Sequence, residues 1–134
     1  MAPILDTHIW VWWMLGDPRL DAAAQRALDD FPMGERPLLS DISLWEVAML
    51  VAGGRLVLEE PLERWLLVAA SPLTVQLTRL SSEIVVAMNG LPSGFHRDPA
   101  DRIIVSTAMV LGRPLFTLDQ KIIDSGIVPL WAPE

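Results

Sequence analysis

The sequence predicts an α/β fold with a central parallel sheet. Short apolar runs typical of strands alternate with longer helical segments along the 134 residues. Several of those segments begin at Ser or Asp and end at Gly, which are the residues preferred at helix caps. A hydrophobic content of 51% is enough for one core in a chain of this length. We therefore expect a single domain over residues 1–134.

The first half of the chain contains two predicted strands and four predicted helices. We expect strands at residues 3–5 and 37–39, and helices at 8–15, 18–31, from 40 or 41 to about 52, and at 61–70. Gly16, Asp17 and Pro18 end the first helix, and Gly53-Gly54 ends the third. The early strands are short, so their boundaries are the least well defined.

The second half repeats the pattern more clearly. We expect strands at 73–77, 114–117 and 127–131, and helices from 81 or 82 to about 90, at 99–111 and after Asp119, with a loop at 91–97. Asp98 is the predicted N-cap of the long helix, and Pro99 occupies its first turn. Ligands of open α/β sheets bind beyond the carboxyl ends of the strands, and Asp6 and Asp119 both lie there.

Composition excludes several classes of protein. No apolar run approaches the ~18 residues of a membrane-spanning helix, and the start of the chain lacks the basic region of a secretory signal. The absence of cysteine excludes disulfides and thiolate metal sites. We expect a cytoplasmic protein that does not associate with a membrane.

The net charge of −7 is unusual for a protein that binds nucleic acid. A bound metal ion would neutralise part of this charge, and a local basic patch is compatible with an acidic whole. Arg97, Arg102 and Arg113 are the candidates for such a patch. The alternative is that these arginines pair with surface acids.

Four carboxylates stand beside apolar runs, where an unpaired charge loses solvation. They are Asp6, Glu46, Asp101 and Asp119. If neighbours converged to about 5 Å, each like-charged pair would cost roughly 3 kcal/mol at an effective dielectric near 20. A hard divalent cation removes that cost, and ligand sets made only of oxygen suit Mg²⁺ or Mn²⁺. The pattern predicts a metal-dependent site that cleaves phosphodiesters.

Helix capping is the alternative explanation for most of these acids. Asp6, Asp98 and Asp119 each precede a predicted helix, where an acid stabilises the first turn. Glu46 lies five residues inside a helix, so capping cannot explain it. Thr7 and Thr117 are candidates for orienting water or phosphate.

The histidines and tryptophans are assigned to the structure rather than to the site. His8 and His96 are far apart in sequence, and we expect both to be structural. Trp10, Trp12, Trp13 and Trp45 are expected in the core or a subunit interface. The first helix is apolar on almost every side, which suggests a second buried face and self-association.

In their order and setting, these acids resemble the PIN-domain family, most closely its VapC-type toxin branch. The resemblance covers nearly the whole chain. The matching stretches are Ile4-Leu5-Asp6-Thr7-His8, Ser43-Leu44-Trp45-Glu46-Val47-Ala48, Gly54-Arg55-Leu56, His96-Arg97-Asp98-Pro99-Ala100-Asp101-Arg102-Ile103-Ile104 and Phe116-Thr117-Leu118-Asp119. Leu50 and Ala100 depart from the family pattern, which often has a basic and an aromatic residue there.

The resemblance implies a Rossmann-like, three-layer fold with a parallel sheet of about four to five strands. It also implies a Mg²⁺- or Mn²⁺-dependent ribonuclease toxin that forms a homodimer and is inhibited by a cognate antitoxin. Asp6, Glu46, Asp101 and Asp119 would hold the metal, with Asp98 in a secondary role. Arg97 and Arg102 would contact the RNA.

Two other readings fit the same fold class less well. A response-regulator receiver needs an acidic pair and a lysine after a late strand, and Lys121, the only lysine, follows Asp119 too closely. A haloacid-dehalogenase-like phosphatase needs Asp-x-Asp, whereas this chain has Asp6-Thr7-His8. A non-catalytic interaction module on the same fold is the remaining alternative, although the retention of all four carboxylates speaks against it.

Overall fold

The computed structural model describes residues 1–95 and 97–134. The four strands are β1 (Ile4–Leu5), β2 (Leu38–Ser40), β3 (Gln76–Thr78) and β4 (Leu115–Phe116). The helices are α1 (Thr7–Leu15), α2 (Ala22–Asp29), α3 (Ile42–Ala52), α4 (Leu62–Ala69), α5 (Ser82–Asn89), α6 (Pro99–Leu111) and α7 (Gln120–Ser125).

The strands form one parallel sheet in the order β3-β2-β1-β4, which confirms the predicted architecture. Ile4 pairs with Leu38 on one side and with Leu115 on the other. Along the chain, β2 pairs with one side of β1, β3 pairs with β2, and β4 then pairs with the other side of β1. The strand order therefore reverses between β1 and β4, and ligands of such sheets bind at the carboxyl ends of the strands at this point.

The sheet separates two hydrophobic cores because successive residues of a strand point to opposite faces. Leu5, Leu39 and Phe116 face one core, which α1, α2 and α4 cover. Ile4, Leu38 and Leu115 face the other core, which α6 and α7 cover. These layers make the predicted three-layer arrangement of helices, sheet and helices.

Trp10 and Trp13 of α1 pack against other parts of the same chain. Trp10 is fully buried, donates from Nε1 to the Ala69 carbonyl oxygen at 2.8 Å and packs on the Trp65 ring at 5.1 Å. Trp13 is also buried and donates from Nε1 to a carboxylate oxygen of Asp29 at 2.8 Å. The apolar surface of α1 is thus explained by the core of the same chain, and it does not require the second, intermolecular face suggested by the sequence.

Several boundaries differ from the prediction. The second helix begins at Ala22 rather than at residue 18, because Asp21 acts as its N-cap and residues 17–20 form a turn. Of the predicted strand at 127–131, only an isolated bridge between Leu130 and Leu115 forms. Trp45, expected in the core or in a subunit interface, is 52% exposed and so lies outside the core of this chain.

None of the helices in the described part of the chain combines the length and apolar character needed to cross a bilayer.

Candidate active site

Asp6 ends β1 at the reversal of strand order and is only 2% exposed. One carboxylate oxygen, Oδ1, accepts a hydrogen bond from the Thr7 backbone N–H at 2.8 Å and so caps α1. The other oxygen, Oδ2, accepts from the Thr117 hydroxyl at 2.6 Å, at the end of β4. Asp6 therefore serves both as a cap and as a buried acid at the sheet edge.

Thr7 connects Asp6 to the glutamate of α3. Its hydroxyl donates to Glu46 Oε1 and lies 2.7 Å from the Ser43 hydroxyl oxygen. Because the single hydroxyl proton of Thr7 goes to Glu46, Ser43 must donate to Thr7. Glu46 is half-buried and is held by a residue of another helix, which no capping role would require.

Glu46, Asp98 and Asp101 form the tightest acidic group among the described residues. One carboxylate oxygen from each lies within 4.8 Å of the other two. Asp98 also caps α6 by accepting from the Asp101 backbone N–H at 3.2 Å. Asp98 therefore has the predicted capping role and, in addition, lies among the other acids.

Asp119 follows the carboxyl end of β4 and also lines the cleft. Its Oδ1 accepts from the Lys121 backbone N–H at 2.9 Å, which caps α7. Its own backbone N–H donates to the Thr117 hydroxyl oxygen at 3.0 Å. Thr117 thus contacts two of the predicted site acids at once.

Burial and mutual repulsion raise the pKa values of the inner acids. The pKa of Asp101 is raised to about 8, first by burial and then by the charges of the other four acids. Burial also raises the pKa of Asp6, although His8 and the hydroxyl of Thr117 oppose this shift. The pKa of Glu46 is raised by burial and by the charges of Asp6 and Asp98, against the hydrogen bond from Thr7.

The five acids suit a hard divalent cation. Their donors are all carboxylate oxygens, the ligands that Mg²⁺ and Mn²⁺ prefer. A cation among them would replace repulsion with attraction, and it would favour the ionised form of the acids whose pKa values are raised.

His8 was expected from the sequence to be structural and to lie outside the site, but the structure places it against Asp6. The Nε2 atom of His8 accepts from the Leu118 backbone N–H at 3.1 Å, so the imidazole proton lies on Nδ1. Nδ1 is 3.4 Å from Asp6 Oδ2. The position of His8, two residues after Asp6 on the first turn of a helix, was the available signal.

Four of the acids, Asp6, Glu46, Asp101 and Asp119, line a cleft of about 330 Å³. The remaining lining includes aromatic, aliphatic and basic side chains that the sequence analysis did not assign to the site: His8, Val11, Trp12, Leu15, Arg19, Leu50, Arg55 and Leu56. Apolar residues and two arginines thus share the cleft with the carboxylates.

The predicted basic residues have different environments. Arg97 is exposed beside Asp98, whereas Arg102 is half-buried and donates from Nη2 to the Met88 carbonyl oxygen at 3.2 Å. Arg113 donates to the Ala2 carbonyl oxygen, before the start of β1 and so at the opposite end of the sheet. His96, which the sequence analysis assigned a structural role, lies outside the described residues.

Comparisons with known proteins identify a family and relatives for this chain. The family model described as PIN domain matches residues 4–126. Ribonuclease VapC22 of Mycobacterium tuberculosis (strain ATCC 25618 / H37Rv) is 35% identical over 119 residues, which are 89% of this chain and 88% of that protein.

Solved structures share the fold at lower identity. VapBC2 from Rickettsia felis, bound to a DNA fragment from their promoter, aligns with a TM-score of 0.75 and 19% identity over 98% of both chains. A toxin–antitoxin complex from Klebsiella pneumoniae aligns with a TM-score of 0.69 and 21% identity over 99% of this chain and 98% of that one.

Proposed function

This chain belongs to the PIN domain family, and we propose that it is a metal-dependent endoribonuclease, the toxin of a toxin–antitoxin pair. The observation that carries the proposal is the convergence of acids from four separate parts of the chain on one cleft. Capping explains one oxygen of Asp6, Asp98 and Asp119, but it explains neither Glu46 nor the raised pKa of Asp101. We further propose that residues 1–134 act as one nuclease domain.

In this proposal, Asp6, Glu46, Asp101 and Asp119 hold Mg²⁺, with Mn²⁺ as the alternative ion and Asp98 as a secondary ligand. Such an ion, when bound, acidifies a water molecule and neutralises the charge that develops on the phosphate oxygens. The donor set supports either ion, because both prefer carboxylate oxygens.

The neighbouring side chains orient these acids. Thr117 holds Asp6 Oδ2 and the Thr7 backbone N–H holds Asp6 Oδ1, while the Thr7 hydroxyl holds Glu46 Oε1, so each carboxylate is kept in one orientation. Thr7 and Thr117 therefore act as positioning residues. Arg97 and Arg102 are the proposed RNA contacts next to Asp98 and Asp101, and the exposed guanidinium of Arg97 is the freer of the two to reach a phosphate.

The proposed partners are a cognate antitoxin, an RNA substrate and a second copy of this chain. The relatives described as VapBC or toxin–antitoxin complexes support the antitoxin. The neighbouring helices α5 and α6 carry the exposed apolar residues Val85, Val86 and Met109, and we propose that a homodimer covers them. A cytoplasmic location fits a ribonuclease that acts on cellular RNA.

The test is cleavage of a pool of cellular RNA by the wild type and by Asp101→Asn, with Mg²⁺, with Mn²⁺ and with chelator. We expect cutting by the wild type only, and only when a metal is present. Asp30→Asn is the matched control, because it removes the same charge at an exposed residue that does not line the cleft. Absence of cutting by folded, partner-free wild type under every condition would refute the proposed activity.

A further inference from the structure

Besides the acids, the lining of the cleft includes a basic wall formed by Arg19 and Arg55. Both side chains are exposed and carry charges that the ribonuclease chemistry described above does not use. The inference drawn from them rests on the proposed function, because it concerns how the same cleft holds its RNA.

The turn after α1 fixes the backbone of Arg19. Gly16 ends α1 with a φ of 62°, a left-handed conformation that favours glycine, and the Asp17 N–H then donates to the Trp12 carbonyl oxygen at 2.9 Å. The Arg19 backbone N–H donates to Asp17 Oδ1 at 2.9 Å. These bonds fold residues 17–19 back over the outer side of α1.

The Arg19 side chain is held on two sides. Its Nη2 donates to Asp17 Oδ2 at 2.8 Å and its Nε lies 3.1 Å from Asp17 Oδ1. Its guanidinium carbon lies 4.7 Å from the centre of the Trp12 ring, within the range of a cation–π contact. Among the described residues, none accepts a hydrogen bond from Nη1. A pre-oriented guanidinium edge therefore remains available to a ligand.

A series of contacts connects the Arg19 guanidinium to Asp6, one of the acids that line the cleft. His8 and Trp12 are four residues apart on α1, so they lie on the same side of the helix, and their rings meet edge to face at 4.9 Å. His8 in turn lies 3.4 Å from Asp6 Oδ2. Asp6, His8, Trp12 and Arg19 thus form one row along the cleft.

Arg55 belongs to the loop that follows α3. Gly54 has a φ of 70°, and the Arg55 backbone N–H donates to the Leu50 carbonyl oxygen at 2.9 Å, which brings residue 55 back to the cleft. Within the described residues, no carboxylate lies within 4.0 Å of its guanidinium nitrogens. Its charge is therefore not neutralised by a neighbouring acid.

We propose that Arg19, held by Asp17 and Trp12, and Arg55 bind the phosphate backbone of the RNA strand in the cleft that the carboxylates also line. Arginine suits phosphate because its N–H groups form two parallel hydrogen bonds. In a chain with a net charge of −7, RNA must find its attraction locally. Arg55 supplies a positive charge beside the acids, and Arg19, whose charge Asp17 offsets, supplies oriented N–H donors.

The test is the affinity of a labelled single-stranded RNA of mixed sequence for protein carrying Asp101→Asn, measured by fluorescence anisotropy with Mg²⁺ present. Arg19→Ala and Arg55→Ala are introduced singly and together, and Arg26→Ala and Arg64→Ala are matched controls on exposed arginines outside the cleft. We expect each cleft substitution to weaken binding by about three- to ten-fold at roughly 0.1 M salt. The slope of log affinity against log salt should fall by about 0.7 for Arg55→Ala, one phosphate contact on a single strand.

A second readout comes from cleavage by protein that retains Asp101. Arg19→Ala and Arg55→Ala should raise KM more than they lower kcat, whereas Arg26→Ala should match the wild type. Arg19→Lys should recover only part of the loss, because lysine keeps the charge but not the planar group over Trp12.

The outcomes separate this inference from the proposed function. One outcome is that the wild type cleaves RNA while both cleft variants keep its RNA affinity and KM. That result would refute RNA binding by the basic wall and would not affect the proposed ribonuclease activity. If those variants instead weakened only the affinity for a protein partner, the two arginines would bind that partner rather than RNA, and the inference would be wrong. Absence of both RNA binding and cleavage in every protein would overturn both.

Discussion

The Thr117 hydroxyl donates a 2.6 Å hydrogen bond to Asp6 Oδ2 and so joins the carboxyl ends of the two strands between which the strand order reverses. The same oxygen accepts the Asp119 N–H at 3.0 Å. One buried hydroxyl therefore orients the acid that follows β1 and fixes the turn that carries the acid after β4.

Thr117→Val removes this hydroxyl with little change in side-chain shape. It leaves the Asp119 N–H and one Asp6 oxygen without their partners, so we expect a loss of about 1–3 kcal/mol in the free energy of unfolding. RNA cleavage should fall as well, because Asp6 is no longer held in one orientation. Urea unfolding and initial cleavage rates measure the two effects. Thr117→Ser keeps the hydroxyl and should restore most of both, and a Ser variant as inactive as Val would refute the positioning role.

The raised pKa of Asp101 predicts that the metal-free protein loses stability as the pH rises. The unfolded chain releases the Asp101 proton near pH 4, whereas the folded protein keeps it to about pH 8. Between those values the folded state binds more protons, so the free energy of unfolding falls with increasing pH and levels off above pH 8. Because Asp101 is only partly buried, solvent screening limits this effect to about 1–2 kcal/mol. Urea unfolding in chelator at pH 5 and pH 8 measures it.

Asp101→Asn is the variant that isolates this contribution. It cannot ionise, so its pH dependence between 5 and 8 should be shallower and its metal-free form should be more stable than the wild type at pH 8. Asp30→Asn should follow the wild type. Equal pH dependence of Asp101→Asn and wild type would show that the buried charge of Asp101 has no part in the repulsion.

Asp98 has two roles that substitution separates. Asparagine caps helices about as well as aspartate, so Asp98→Asn should leave stability almost unchanged while weakening Mn²⁺ binding and RNA cleavage. Asp98→Ala should show the same loss of activity together with about 1 kcal/mol of destabilisation from the lost cap. Thermal unfolding and cleavage rates on both variants give the comparison. Full activity in Asp98→Asn would show that Asp98 caps α6 and has no role in metal binding.

The apolar surface of α5 and α6 predicts the dimer face. Val86 is 72% exposed, so Val86→Glu places a charge where a second copy would pack. We expect the wild type to sediment as a dimer and this variant as a monomer at micromolar concentration. Val57→Glu, at an 84% exposed position away from these helices, is the control. A wild type that remains monomeric at high concentration would contradict the proposed dimer.

Most of the fold was predictable because the sequence contains local signals for its elements. Glycine ends α1 and α6 in the left-handed conformation, and acids begin α2, α6 and α7, so the helices could be placed within a few residues. The strands are only two or three residues long, which leaves little pattern to read. The segment 127–131 forms only a single bridge, because edge pairing depends on the neighbouring strand rather than on the segment itself.

The convergence of the carboxylates at the candidate site could be predicted from their setting, but their neighbours could not. An acid beside an apolar run is unusual in itself, so Asp6 and Glu46 were identifiable without coordinates. Trp12 and Arg19 are ordinary residues until the turn at Gly16 brings them together at the cleft. For the same reason Arg102 could not be distinguished from Arg97 by sequence, because only the packing of α5 on α6 shows that it donates to the Met88 carbonyl oxygen.

If the convergent acids form one site for a divalent cation, calorimetric titration of Mn²⁺ into the metal-free protein should show binding at that site. The wild type and Asp30→Asn should bind with equal affinity, and Asp101→Asn should bind about ten-fold or more weakly. Because the acids lose a proton when the ion enters, binding by the wild type should also strengthen between pH 6 and pH 8. A folded wild type that releases no heat with Mn²⁺ or Mg²⁺, or an Asp101→Asn variant that binds as the wild type does, would contradict the account.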